Sequence, residues 1–108
     1  MAVSNAPWGD VSESDYASAG DFCDACLVNL NDGPRSRWSK SKCKLPVRMP
    51  RTGALNRGGV HAAAAALAGA RGGVQAPPDV KRAAARKLIS LYRELDEDPP
   101  EAVRQLAR

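Results

Sequence analysis

Asp79-Val-Lys-Arg-Ala-Ala-Ala-Arg-Lys-Leu-Ile-Ser-Leu-Tyr-Arg-Glu-Leu95 is the stretch on which the reading of the fold turns. Val80, Ala84, Leu88, Leu91 and Leu95 recur at helical spacing, and Ile89 and Tyr92 widen the stripe, so the pattern predicts an amphipathic helix. Lys81, Arg82, Arg86 and Arg93 lie mainly on its other faces. Pro77 and Pro78 stand before it, where a helix start tolerates proline. Downstream, Asp98-Pro-Pro-Glu101 predicts a cap and start for a short last helix holding Val103 and Leu106. Upstream, Asn56 is a good N-cap for a helix over roughly 57–69, with Val60, Ala63, Ala64 and Leu67 as its apolar stripe. Gly58 and Gly59 weaken the first turn of that helix, and Gly69-Ala-Arg-Gly-Gly73 ends it.

The N-terminal half is less regular. Residues 1–7 read as a flexible tail and 8–108 as a single small helical domain. Residues 12–16 suggest a turn or one helical turn. Ser18 or Asp21 is placed to cap a short helix running to about residue 27, with Phe22, Cys26 and Val28 on one side. Asn29-Leu-Asn-Asp-Gly-Pro34 breaks it, and 35–43 is a polar basic loop carrying Trp38. Lys44-Leu-Pro-Val-Arg-Met-Pro50 alternates apolar and basic residues across two prolines. Proline donates no ladder hydrogen bond, so this is an extended segment or an edge strand. The expected fold class is therefore mainly α: a small three-to-four-helix domain with one extended, proline-containing segment at about 44–50 packed across the helices. The expected core is Leu27, Leu45, Val47, Leu55, Val60, Leu67, Leu88, Leu91, Tyr92 and Leu95.

Composition narrows the function. Of 108 residues 44% are hydrophobic, but many of these are alanine, and there is one Phe beside two Trp and two Tyr, which implies a thin core. No run approaches the roughly 20 apolar residues of a membrane span, and the N-terminus has no basic, apolar leader pattern. The expectation is a cytosolic protein, or part of something assembled in a cytosol, with no membrane partner and no small-molecule substrate evident. The net charge of +4 is strongly segregated. Residues 1–33 hold Asp10, Glu13, Asp15, Asp21, Asp24 and Asp32 with no Lys or Arg; 34–57 hold Arg35, Arg37, Lys40, Lys42, Lys44, Arg48, Arg51 and Arg57 with no acid. Such blocks can fold against each other, or the basic one can meet an external polyanion.

Three cysteines make an odd count, so the expectation is three reduced thiols, with Cys26 in the core and Cys23 partly exposed. Cys23, Cys26, Cys43 and His61 are all the Cys and His of the chain, and together would make a Cys3His zinc set. The Cys23–Cys26 pair falls in an apparent helix and Cys43 and His61 lack paired short spacing, so no cofactor and no metal is the preferred reading, with zinc binding as an alternative. One His and scattered acids give no nucleophile, base and orienter set, which argues against an enzyme. The candidate binding residues are Arg35, Arg37, Trp38, Lys40, Lys42, Lys44 and Arg48. They suit either a protein partner or nucleic acid, with the cations on phosphates and Trp38 on a base.

Ala25-Cys-Leu27, Lys44-Leu-Pro-Val-Arg48, Gly53-Ala-Leu-Asn-Arg57, Val60-His-Ala-Ala-Ala64 and Lys87-Leu-Ile-Ser-Leu-Tyr92 give the chain a likeness. It resembles a small domain attached to, or encoded near, head maturation proteases and head-assembly proteins of tailed phages. The resemblance spans roughly 8–106. It implies an accessory or capsid-assembly role in a phage or prophage head, with head proteins or further copies of the chain as partners, and supplies no catalytic residues.

Overall fold

The computed structural model describes residues 3–69 and 73–108. The expected tail over 1–7 starts in residues 1–2, outside that set, but Val3–Ser4 forms a short strand, β1. After it, 3-10 turns at Trp8–Asp10 and Glu13–Asp15 lead to α1, Ala19–Asp24. Ser12 and Asp15 close the second turn as a capping box, and Ser18 caps α1 by accepting the Asp21 N–H.

Here the mainly α expectation fails. The helix predicted to reach residue 27 stops at Asp24, and Cys26–Asn29 is a strand, β2. β2 pairs antiparallel with β3, Cys43–Pro46, in the register Cys26 with Pro46, Val28 with Lys44 and Asn29 with Cys43. β4, Leu55–Asn56, pairs parallel with β1. With two small sheets and four α-helices among the described residues, this is a mixed α/β small domain. The reason lies in burial: Leu27 and Val28 are adjacent and both buried, which a strand with a covered layer on each face achieves and a short one-faced helix does not. The Val47 N–H also bonds the Ala25 carbonyl at 2.8 Å, continuing the ladder past Pro46. Leu45 takes φ 65° inside β3, a conformation costing a bulky residue about 1–2 kcal/mol and repaid by its buried side chain. The extended segment expected at 44–50 thus begins as a paired strand and ends in a tight turn, in which Gly53 N–H bonds Met49 O.

The C-terminal helices follow the sequence reading closely. α2 is Arg57–Leu67, with the Asn56 side chain accepting the Gly59 N–H. The expected terminator 69–73 falls largely on residues 70–72, outside the described set. α3 is Pro78–Glu94 and α4 is Glu101–Leu106, although α4 begins from Pro100 with no side-chain cap, so Asp98 does not cap it as expected. All ten expected core residues are buried in one cluster, which also takes in Val28, Val74, Ala63, Ala64, Ala84, Ala85 and Val103. A second cluster of Tyr16, Phe22, Cys23, Ala25 and Cys43 lies under α1 and the basic loop. Tyr16 and Phe22 meet edge to face there, with ring centroids 5.1 Å apart.

The weak glycines at the start of α2 have a tertiary reason. A Cβ on Gly59 would stand 3.0 Å from Trp8 Cε2, and one on Gly58 3.1 Å from Trp8 Cβ, so the indole lies directly on the helix backbone. Asn56, fully buried, also donates to the Ala6 carbonyl at 3.1 Å, and Arg57 reaches Asn5 Oδ1 at 3.0 Å. The N-terminal stretch is a strap across α2, and Asn56 and Arg57 fasten it.

Candidate binding surface

The basic loop is built around Asn31. Its side chain donates to Ser39 O at 3.1 Å and accepts the Ser39 N–H at 2.9 Å, pinching the ends of the 31–39 excursion together. Two 3-10 turns, Arg35–Arg37 and Lys40–Lys42, fill the loop, the latter capped by Ser39. Beneath it, Cys23 and Cys43 form a disulfide, with Cα atoms 5.4 Å apart. This overturns the expectation of three free thiols: Cys23 is buried rather than partly exposed, and Cys26 is the free thiol, half-buried in a groove wall. Pairing was invisible in the sequence because Cys23 and Cys43 meet only when β2 and β3 pair. Burial pushes the Cys26 thiol up to about 12, so it stays protonated near neutrality.

Segregated charge in the sequence becomes contact in the fold. The Arg35 guanidinium bonds both Asp21 and Asp24, and lies 5.8 Å from the Trp38 ring centroid. It crosses α1 at Gly20, where a Cβ would meet Arg35 Nε at 2.6 Å. Trp38 Nε1 donates to Gly33 O at 3.2 Å. Lys40 Nζ caps the Glu13 and Tyr16 carbonyls at 2.7 and 3.0 Å. Of the seven residues read as a binding set, Arg35, Trp38 and Lys40 are thus engaged inside the molecule, and Arg48 bonds Gly53 O at 3.2 Å. Arg37, Lys42 and Lys44 have no side-chain partner among the described residues.

The four residues of the alternative zinc set are not brought together. The sulfurs of Cys23 and Cys43 are bonded to each other, and His61 lies on α2 with Nε2 2.7 Å from Glu97 Oε1 and its ring stacked on Tyr92 at 5.9 Å. Glu97 also takes Arg57, and the hydrogen bond from His61, ahead of that from Arg57, holds its carboxyl below the usual carboxylate range. Among the described residues no cluster of His, Cys, Asp and Glu suits a metal ion. No helix among them is long and apolar enough to cross a membrane.

Two shallow grooves meet over Asp24, Ala25 and Arg48. One, of about 280 Å³, lies between α1 and the 48–53 turn, with Tyr16, Met49 and Pro50 in its floor and Arg51 on its rim. The other, of about 310 Å³, has Leu27, Val47 and Leu91 as floor and Lys87 and Ser90 of α3 as rim, with Cys26 in its wall. Tyr16 is anchored there by donating to Arg48 O at 2.5 Å, and burial raises its hydroxyl to about 12. Sequence reading placed Arg51 in the basic block and did not single out Lys87. Nothing in the spacing reveals that the 48–53 turn and α3 share one surface. No protein-family model, curated protein or solved structure matches this chain.

Proposed function

We propose that this chain is a non-enzymatic accessory or assembly module of a phage or prophage head, acting by binding protein partners, either other head proteins or further copies of itself. The observation that carries the protein-binding part is the fate of the basic block. Trp38 holds an internal hydrogen bond and sits beside the Arg35 guanidinium, while Arg35 and Lys40 are engaged with α1 and the 13–16 turn. A nucleic-acid module needs several free cations along a backbone path and an open aromatic face for a base; here the aromatic and two of the cations serve the fold. The phage-head part rests on the motif resemblance alone.

Two measurements test this reading. Co-expression with the head proteins encoded beside it should yield a stoichiometric complex on size-exclusion chromatography with light scattering. Titration of labelled single- and double-stranded DNA at two salt concentrations should show weak binding with a shallow log–log salt slope, since few phosphates would be neutralised. Micromolar DNA binding with a steep slope, lost on Lys42→Ala with Lys44→Ala, would replace the protein-binding reading with the nucleic-acid one.

A further inference from the structure

We infer that the joined groove over Ala25 is a docking site for an extended acidic peptide, a segment of a partner protein in which carboxylates alternate with aliphatic side chains; this rests on the protein-binding reading above and names the chemistry of its partner. The argument is one of charge and shape. Asp21 and Asp24 line the groove and share one counter-ion, Arg35, which balances one of their two charges. Against the one carboxylate charge left over stand Arg51 at one end and Lys87 at the other, both exposed and without an ion-pair partner among the described residues, so the rim is positive on balance. The floor between these cations is apolar, made by Ala25, Leu27, Val47, Met49, Pro50 and Leu91. An extended chain sends successive side chains to opposite sides, so alternating residues would place aliphatic groups on this floor and carboxylates along the rim. Each groove lies at or below the small end of the roughly 300–1,000 Å³ typical of small-molecule sites, which suits one or two side chains and not a bulky ligand.

Fluorescein-labelled peptides of about eight residues, ~26 Å when extended, are titrated by anisotropy: one alternating Glu and Leu, one alternating Lys and Leu, with an oligothymidylate of similar length as the nucleic-acid arm. The Glu/Leu peptide should bind about tenfold or more tighter than the Lys/Leu peptide, and Arg51→Glu or Lys87→Glu should each weaken it about tenfold. Arg82→Glu, elsewhere on α3 and lining neither groove, should change affinity less than about twofold. The inference falls if the two peptides bind alike or if neither binds at millimolar concentration. It falls equally if the oligothymidylate binds tighter than either peptide and loses that binding with Lys42→Glu. A head-protein complex that survives both Arg51→Glu and Lys87→Glu overturns the groove while leaving the assembly role standing.

Discussion

The two halves of this molecule are held together by different physics. The α2–α3–α4 half has a continuous apolar cluster with Leu55, Leu88, Val60 and Val103 almost wholly removed from water. The 8–46 half sends Leu27, Val28 and Leu45 of its strands into that cluster and otherwise has only a small second one, Tyr16, Phe22, Cys23, Ala25 and Cys43, under a loop rich in charge and 3-10 turns. A few buried side chains cannot offset the entropy of ordering so long a loop, at about 1–2 kcal/mol per residue. The disulfide, the Asn31–Ser39 clamp and the Arg35 ion pairs provide the remainder. One half would be expected to fold on its own pattern; the other depends on a cross-link and on polar contacts that form only in the finished structure.

The contrast is broken most directly at its strongest point. Leu88→Ala should cost about 2–5 kcal/mol, because a fully buried leucine leaves a cavity in the main cluster. Chemical denaturation should show the midpoint lowered, the 8–46 half being lost with the α2–α4 half on which its strands pack. If Leu88→Ala leaves the midpoint unchanged, the α3 stripe is not the centre of the core.

Next comes the cross-link. Cys23→Ser with Cys43→Ser removes a tie spanning 20 residues, worth about 3 kcal/mol in the chain-entropy account. Hydrogen exchange should then show protection lost first across 19–46 while α3 keeps most of its own. Uniform loss over both halves would show that they are one cooperative unit and that the contrast drawn here is wrong.

Asn56→Ala tests the strap. It removes an N-cap and strands the Ala6 carbonyl, for a cost of about 1–3 kcal/mol. Trp8 fluorescence should shift red as the indole leaves α2; an unchanged spectrum would mean the strap does not depend on Asn56.

Acid sharpens the C-terminal side. The folded Glu97 carboxyl titrates below its ordinary value of 4.5, the His61 hydrogen bond being the largest cause. Between its folded and unfolded pKa values the unfolded chain binds more protons, so its contribution to stability is complete above pH 4.5 and is lost as pH falls through the lower folded value. Thermal melts from pH 6 to pH 3 should fall more steeply for the native chain than for Glu97→Gln. Parallel curves would remove Glu97 from the account.

The smallest effect belongs to Arg35. Its partners are about half exposed and water screens the pairs, so Arg35→Ala should leave the denaturation midpoint nearly unchanged. Gly20→Ala should behave alike, since the added methyl meets the movable end of the arginine side chain. A clear fall of the midpoint in either variant would mean the ion pairs hold the 8–46 half more firmly than their exposure suggests.

Helices were legible wherever an apolar stripe ran for three turns. The pattern of 79–95 placed α3 within a residue at each end, and Asn56 marked the start of α2. All ten predicted core residues are buried, because burial of Leu and Val at helical or alternating spacing is a local signal. The disulfide and β2 were not legible. Four residues, Cys26–Asn29, are too few to show a period, and their strand identity comes from pairing with Cys43–Pro46 across a loop. The same holds for the binding surface. Charge segregation was plain in the composition, but which cations would be consumed by α1 and which left on a rim depended on where the loop landed. Local sequence determined what each segment could become: the stripes, the caps, the breakers and the blocks of charge. The tertiary structure alone decided which distant partners met, Cys23 with Cys43, Arg35 with Asp21 and Asp24, Trp8 with Gly59, because contacts between residues far apart in the chain leave no period for sequence reading to detect.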